Sequence, residues 1–151
     1  MSDRRLLVIG AGNELRRDDA AGLEAARRLA GFPGVEVREA RGDMTSLADL
    51  WEAGDSVVVV DAARSGALPG SVHRFDATSD ALPAAFGRGS THALGVADAV
   101  ELARALGRLP SKLIVYGIEG EDFSAGEGMS DAVAAAVDEA AIRIAEEIPG
   151  A

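Results

Sequence analysis

Short apolar runs and helical stripes alternate along the chain. Leu6 to Ile9 is continuously apolar and stops at Gly10, which predicts a strand buried on both faces. Asp18-Asp19 opens an expected helix reaching about Ala30, with Leu23, Ala26 and Leu29 on one face and Gly31 behind it. Val35-Glu36-Val37-Arg38 alternates and reads as a strand nearer an edge, followed by a short helix around Ser46 to Trp51. Ser56 to Val60 carries four consecutive valines, the strongest central-strand signal, and terminates in Asp61. Pro69-Gly70 marks a turn before a strand at Ser71 to Phe75. Asp76 to Thr91 is a long loop of Ala, Ser and Gly, a length that in a compact domain points either to function, such as closure over a substrate, or to a mobile surface insertion. His92 to Leu106 reads as a helix stopped by Gly107 and Pro110, and Lys112 to Ile118 as a fifth strand. After Ser130, a suitable N-cap, Val133, Val137, Ala140, Ala141, Ile144 and Ile148 recur at helical spacing.

This order predicts an α/β fold of three layers: a mostly parallel twisted sheet of about five strands with helices on both faces, as one domain over residues 1–151. In such sheets ligands bind beyond the carboxyl ends of the strands, where strand order reverses. With strand order 2-1-3, Asp19 after the first strand and Asp61 after the third come together over one sheet edge. His92, behind Ser90-Thr91 at a helix start, joins them as a ring that the helix dipole keeps neutral and competent to bind metal. Each has an ordinary alternative: Asp18 or Asp19 can cap a helix, and Asp61 can form a turn. His73, alternating within a strand, is read as structural.

Composition narrows the chemistry. The 151 residues contain no cysteine, which removes disulfides, thiolate metal sites and a cysteine nucleophile. Any metal must then be held by oxygen and imidazole. A net charge of −10 with Lys112 as the lone lysine argues against nucleic acid and against anionic membranes. The apolar stretch after Arg4-Arg5 is too short for a signal peptide, and no apolar run of about 18 residues occurs, so the expected compartment is the cytoplasm. Gly10-Ala11-Gly12-Asn13-Glu14-Leu15 departs from the dinucleotide fingerprint at Leu15, and the acids that follow would repel a pyrophosphate. A phosphoacceptor receiver would want a lysine at the end of the fifth strand, whereas Lys112 begins it. Gly128-Met129-Ser130-Asp131-Ala132 falls short of a serine nucleophile elbow.

Taken together, Gly10-x-Gly12-Asn13 with Asp18-Asp19 and Gly22, Val57 to Ala62, Ser90-Thr91-His92-x-Leu94-Gly95 and Gly117-Ile118-Glu119 resemble the hydrogenase maturation endopeptidases, in order over nearly the whole chain. The resemblance implies an aspartic-type peptidase that removes a C-terminal extension from the [NiFe]-hydrogenase large-subunit precursor after nickel insertion. It carries the family's metal-contacting and catalytic positions onto Asp19, Asp61 and His92. It further implies that the nickel is carried by the precursor; the absence of cysteine adds the expectation that the protein holds no metal tightly of its own, and a monomer is expected. A metal-dependent binding module that recognises the precursor without cutting it would use the same ligands. Where many members carry Asp-Gly-Gly-Thr after the second strand, this chain reads Glu39-Ala40-Arg41-Gly42-Asp43-Met44-Thr45, which implies a divergent branch with its own precursor.

Overall fold

The computed structural model describes residues 5–42, 44–83 and 95–149. Five strands, β1 (Leu6–Ala11), β2 (Val35–Ala40), β3 (Ser56–Ala63), β4 (Val72–Asp76) and β5 (Lys112–Glu119), lie in the order β2-β1-β3-β5-β4. The pairs β1–β2, β1–β3 and β3–β5 are parallel, and β4 runs antiparallel along β5. This is the expected mostly parallel sheet, with the reversal of order on either side of β1 and β3.

Period-2 alternation splits the central strands between two cores. Leu6, Val8, Val58, Val60, Ile114 and Tyr116 face α1 (Ala21–Arg27) and α3 (Asp131–Ala145). Leu7, Ile9, Val57, Val59, Leu113 and Val115 face α2 (Val96–Ala105) and a 3₁₀ segment, Met44–Leu50. The four valines are all 0% exposed, since two layers cover them. Full burial of each such side chain contributes about 1.5–3 kcal/mol. β2 is only half buried, consistent with its edge position.

Several boundaries differ from the sequence reading. Asp18 and Asp19 belong to a 3₁₀ turn, Arg17–Ala20, and the α-helix begins at Ala21 and ends at Arg27. α2 starts at Val96 rather than His92, with Gly95 as its N-cap. Asp61 does not end its strand: β3 continues to Ala63 because Asp61, Ala62 and Ala63 still pair with Gly117, Ile118 and Glu119 after pairing with β1 has stopped at Gly10–Val60.

Two glycines set the distance between α1 and the sheet. A Cβ on Gly22 would lie 2.3 Å from the Val60 carbonyl oxygen, 2.4 Å from that of Ala11 and 2.9 Å from the Asp61 Cα. A Cβ on Gly10 would lie 2.6 Å from the Gly22 oxygen. Helix backbone therefore rests directly on strand backbone at the carboxyl ends of β1 and β3. Gly22→Ala is expected to destabilise the fold by about 3 kcal/mol, the upper end for overpacking, because the atoms it meets are main chain and cannot swing aside. The fall in thermal midpoint would measure this.

Candidate active site

The close approach of Gly22 to Asp61 brings the turn that carries Asp19 across the top of β3. Asp19 is 6% exposed, and its carbonyl accepts the Asn13 N–H at 3.2 Å, so the glycine loop after β1 folds back over it. A Cβ on Gly12 would sit 2.1 Å from that same oxygen. Arg17 enters the turn with φ +46°, a left-handed conformation rarely taken by a side-chain-bearing residue. It is held there by a hydrogen bond from its N–H to the Gly126 carbonyl (3.1 Å) and from Nη1 to the Glu127 carbonyl (3.2 Å).

Asp61 faces the α2 side of the sheet, in phase with Val57, Val59 and Ala63. Its Oδ1 accepts the Ala62 N–H at 2.9 Å. Desolvation, reinforced by the neighbouring Asp19 charge, pushes its carboxyl up to about 8, against the smaller opposing effect of that hydrogen bond. Two carboxyls so placed favour a proton or a cation between them.

The neighbouring acid, Asp18, has a different role. It is 0% exposed. Its Oδ2 accepts N–H groups from Glu121 (2.8 Å) and Asp122 (2.9 Å), and its Oδ1 accepts that of Ser130 (2.7 Å). The Ser130 hydroxyl also donates to Oδ2 at 2.9 Å, so Ser130 does not cap α3 through its side chain. Asp18 thus pins the β5–α3 loop beneath the site, and neither acid of the pair caps a helix.

His92 lies outside the described residues, as do residues 84–91 of the proposed closing loop. Among the described residues no three acidic or imidazole side chains form a metal-holding group, so the described part of the expected trio is the pair Asp19 and Asp61. Lys112 stands at the opposite end of the sheet from Asp61, paired in register with Ser56, which removes the receiver arrangement.

The sequence model of the hydrogenase maturation protease family matches residues 24–147. The chain belongs to that family. It is 29% identical to the hydrogenase 2 maturation protease of Escherichia coli over 90% of this chain and 85% of that protein. To the hydrogenase expression/formation protein HupD of Rhodobacter capsulatus it is also 29% identical, over 95% of this chain and 71% of that protein. Among solved structures it resembles the [NiFe] hydrogenase maturation protease HybD from Thermococcus kodakarensis, with a TM-score of 0.72, 30% identity, and 95% and 99% of the two chains covered. The maturating endopeptidase HybD from E. coli gives 0.74 and 26%, with 95% and 91% covered.

This hydrogenase maturation protease carries a third buried acid, after Asp18 and Asp19, that the sequence marked only as part of a motif. Glu119, 2% exposed at the end of β5, accepts the Ser65 N–H (2.8 Å) and the Ser65 hydroxyl (2.6 Å). It also faces His73 Nε2 at 3.1 Å. The carboxylate thus lies between serine and imidazole, which is the wrong order for a hydrolytic triad. The available signal was an acid ending an otherwise apolar strand. On the far side, Arg27 binds Glu39 (2.6 Å), Glu14 (3.1 Å) and Glu24 (3.0 Å), and Arg41 adds bonds to Glu14 and Glu39. Arg27 holds the Glu39 carboxyl below its ordinary range. Arg27 and Arg41 thus tie the end of β2 to Glu14 of the glycine loop. No helix of the described residues is long and apolar enough to cross a membrane.

Proposed function

We propose that this protease removes the C-terminal extension of a [NiFe]-hydrogenase large-subunit precursor after nickel insertion, with Asp19, Asp61 and His92 recognising the bound nickel. The observation that carries this reading is the pairing of Asp19 and Asp61 at the carboxyl edge of β1 and β3, where Gly22 lets the two elements touch. Carboxylates and an imidazole, with no sulfur, make a site of intermediate hardness that leaves coordination positions for the precursor's own ligands. The absence of cysteine suits inspection of a metal over its removal.

In this reading nickel is part of the substrate. As it docks, the proton held on Asp61 leaves and both carboxylates turn to the cation. Docking fixes the scissile peptide in the crevice, and positioning supplies most of the acceleration. Water adds to the carbonyl carbon, the carbon–nitrogen bond breaks, and the departing amine takes the water's proton. A carboxylate engaged on nickel is a weak base, so attack by water relies on the polarised carbonyl and on orientation.

The test incubates the protein with nickel-loaded and nickel-free precursor and follows precursor mass. Loss of a C-terminal segment only from the loaded form is expected, and its abolition in His92→Ala. An intact precursor in both tubes, or equal cleavage of both, overturns the nickel-gated reading.

A further inference from the structure

Among the described residues, two arginines have side chains that meet no carboxylate, and they flank the two acids of the crevice. Arg16 stands three residues before Asp19, and Arg64 three residues after Asp61. Every other described arginine shares a hydrogen bond or ion pair with an acid. In a chain of net charge −10, two guanidiniums left over at the same sheet edge need an explanation.

Neither arginine is loose. Arg16 is partly buried, and its Nε is enclosed without a hydrogen-bond acceptor, which buried donors seldom tolerate. Its backbone pairs with Gly126 in a short parallel bridge. Arg64 is exposed, but its guanidinium lies over the Phe123 ring at 4.5 Å from the centroid. Phe123 is itself 5% exposed and packs on Gly120 beside Asp18. Stacking covers one face of the planar group and leaves its in-plane N–H donors available, an orientation suited to a planar acceptor.

The β5–α3 loop links the two: it touches Arg64 through Phe123 and Arg16 through Gly126. Those positions are three residues apart, at most about 11 Å of chain, so the Arg16 backbone and the Arg64 guanidinium are held by one short stretch of this loop.

We propose that Arg16 and Arg64 form a carboxylate-binding pair on the rim of the Asp19–Asp61 crevice, receiving an acidic group of the precursor segment that is to be cut. The group is an acidic side chain near the scissile bond or the terminal carboxylate of the extension. The proposal rests on the peptidase reading. A carboxylate bonds the outer Nη donors of Arg16, which unlike its Nε are not enclosed, and accepts two parallel bonds from the Arg64 fork, and these contacts orient the segment across the acids.

The test uses Arg16→Gln, Arg64→Gln and Arg64→Lys with nickel-loaded precursor in three forms: unaltered, with the acids near the cut changed to their amides, and with the terminal carboxylate amidated. Each Gln variant is expected to raise KM about tenfold, the worth of one charge-assisted hydrogen bond, while kcat stays within about twofold. Arg64→Lys is expected to behave like Arg64→Gln, since an ammonium cannot present the fork. The increase should vanish on whichever precursor form lacks the recognised carboxylate, and that form identifies its source. A wild-type KM in both Gln variants, or an increase of the same size on all three precursors, overturns the pair. If wild-type protein leaves the precursor uncut, the peptidase reading falls. Calorimetric titration of the loaded precursor then judges the arginines separately, and equal Kd values for wild type and both variants refute them.

Discussion

Asp61→Asn is expected to lose cleavage by a factor of about 10², the worth of misplacing the scissile bond once a docking ligand is gone, while gaining stability above neutral pH. The stability half follows from linkage. In the folded chain the Asp61 carboxyl is pushed up to about 8, whereas in the unfolded chain it titrates near the model value of 3.8. Between those limits the folded state holds a proton that the unfolded state has released, so stability declines as pH rises through the window. Below 3.8 both states are protonated, and above about 8 the folded chain carries the Asp61 charge beside Asp19. The amide has no proton to lose and removes the repulsion with Asp19. Denaturation midpoints measured from pH 4 to pH 9 should slope downward for the wild type and be flatter for the variant. A variant that cleaves normally would remove Asp61 from the chemistry, and parallel midpoint curves would mean that its carboxyl is not desolvated as described.

Asp18→Ala is expected to cost about 3 kcal/mol or more and to be the most destabilising change at any acid among the described residues. Three backbone N–H groups, from Glu121, Asp122 and Ser130, converge with the Ser130 hydroxyl on one carboxylate that is 0% exposed. Truncation leaves buried donors without an acceptor, each costing about 1–3 kcal/mol, partly relieved by entering water. The loop they belong to also holds Arg17 in its left-handed conformation through Gly126 and Glu127, so activity should fall together with stability. Asp19→Ala, one residue away, is expected to abolish activity with a far smaller change in midpoint. Urea denaturation of both variants separates the two roles, and equal midpoints would refute the division of labour.

The contrast between these adjacent acids marks the limit of sequence reasoning here. Asp18-Asp19 stands out in the chain as a pair, and both residues read equally as caps or as ligands. Their separate fates depend on the β5–α3 loop, more than a hundred positions away, whose N–H groups select Asp18 and leave Asp19 for the crevice. Asp61 was legible because a carboxylate after four valines is costly without a purpose. That β3 runs on past it was not, because the pairing comes from the length of β5. Glu119 was visible only as an acid at the end of an apolar run, and its tie to Ser65 and His73 required the antiparallel β4 to lie beside β5. Arg16 and Arg64 carry no signal at all in the sequence, since an arginine is marked out only when its neighbours are known to lack an acid.

The sequence by itself determined the layers, the buried central strands, the half-exposed edge strand and the edge at which chemistry would gather. Those follow from local periodicity, apolar run length and turn residues, each a property of neighbouring positions. Tertiary structure alone decided which carboxylate faces the crevice, how closely α1 rests on the sheet, and which charges go unpaired. Those are properties of residues distant in sequence, brought together only when the chain has folded.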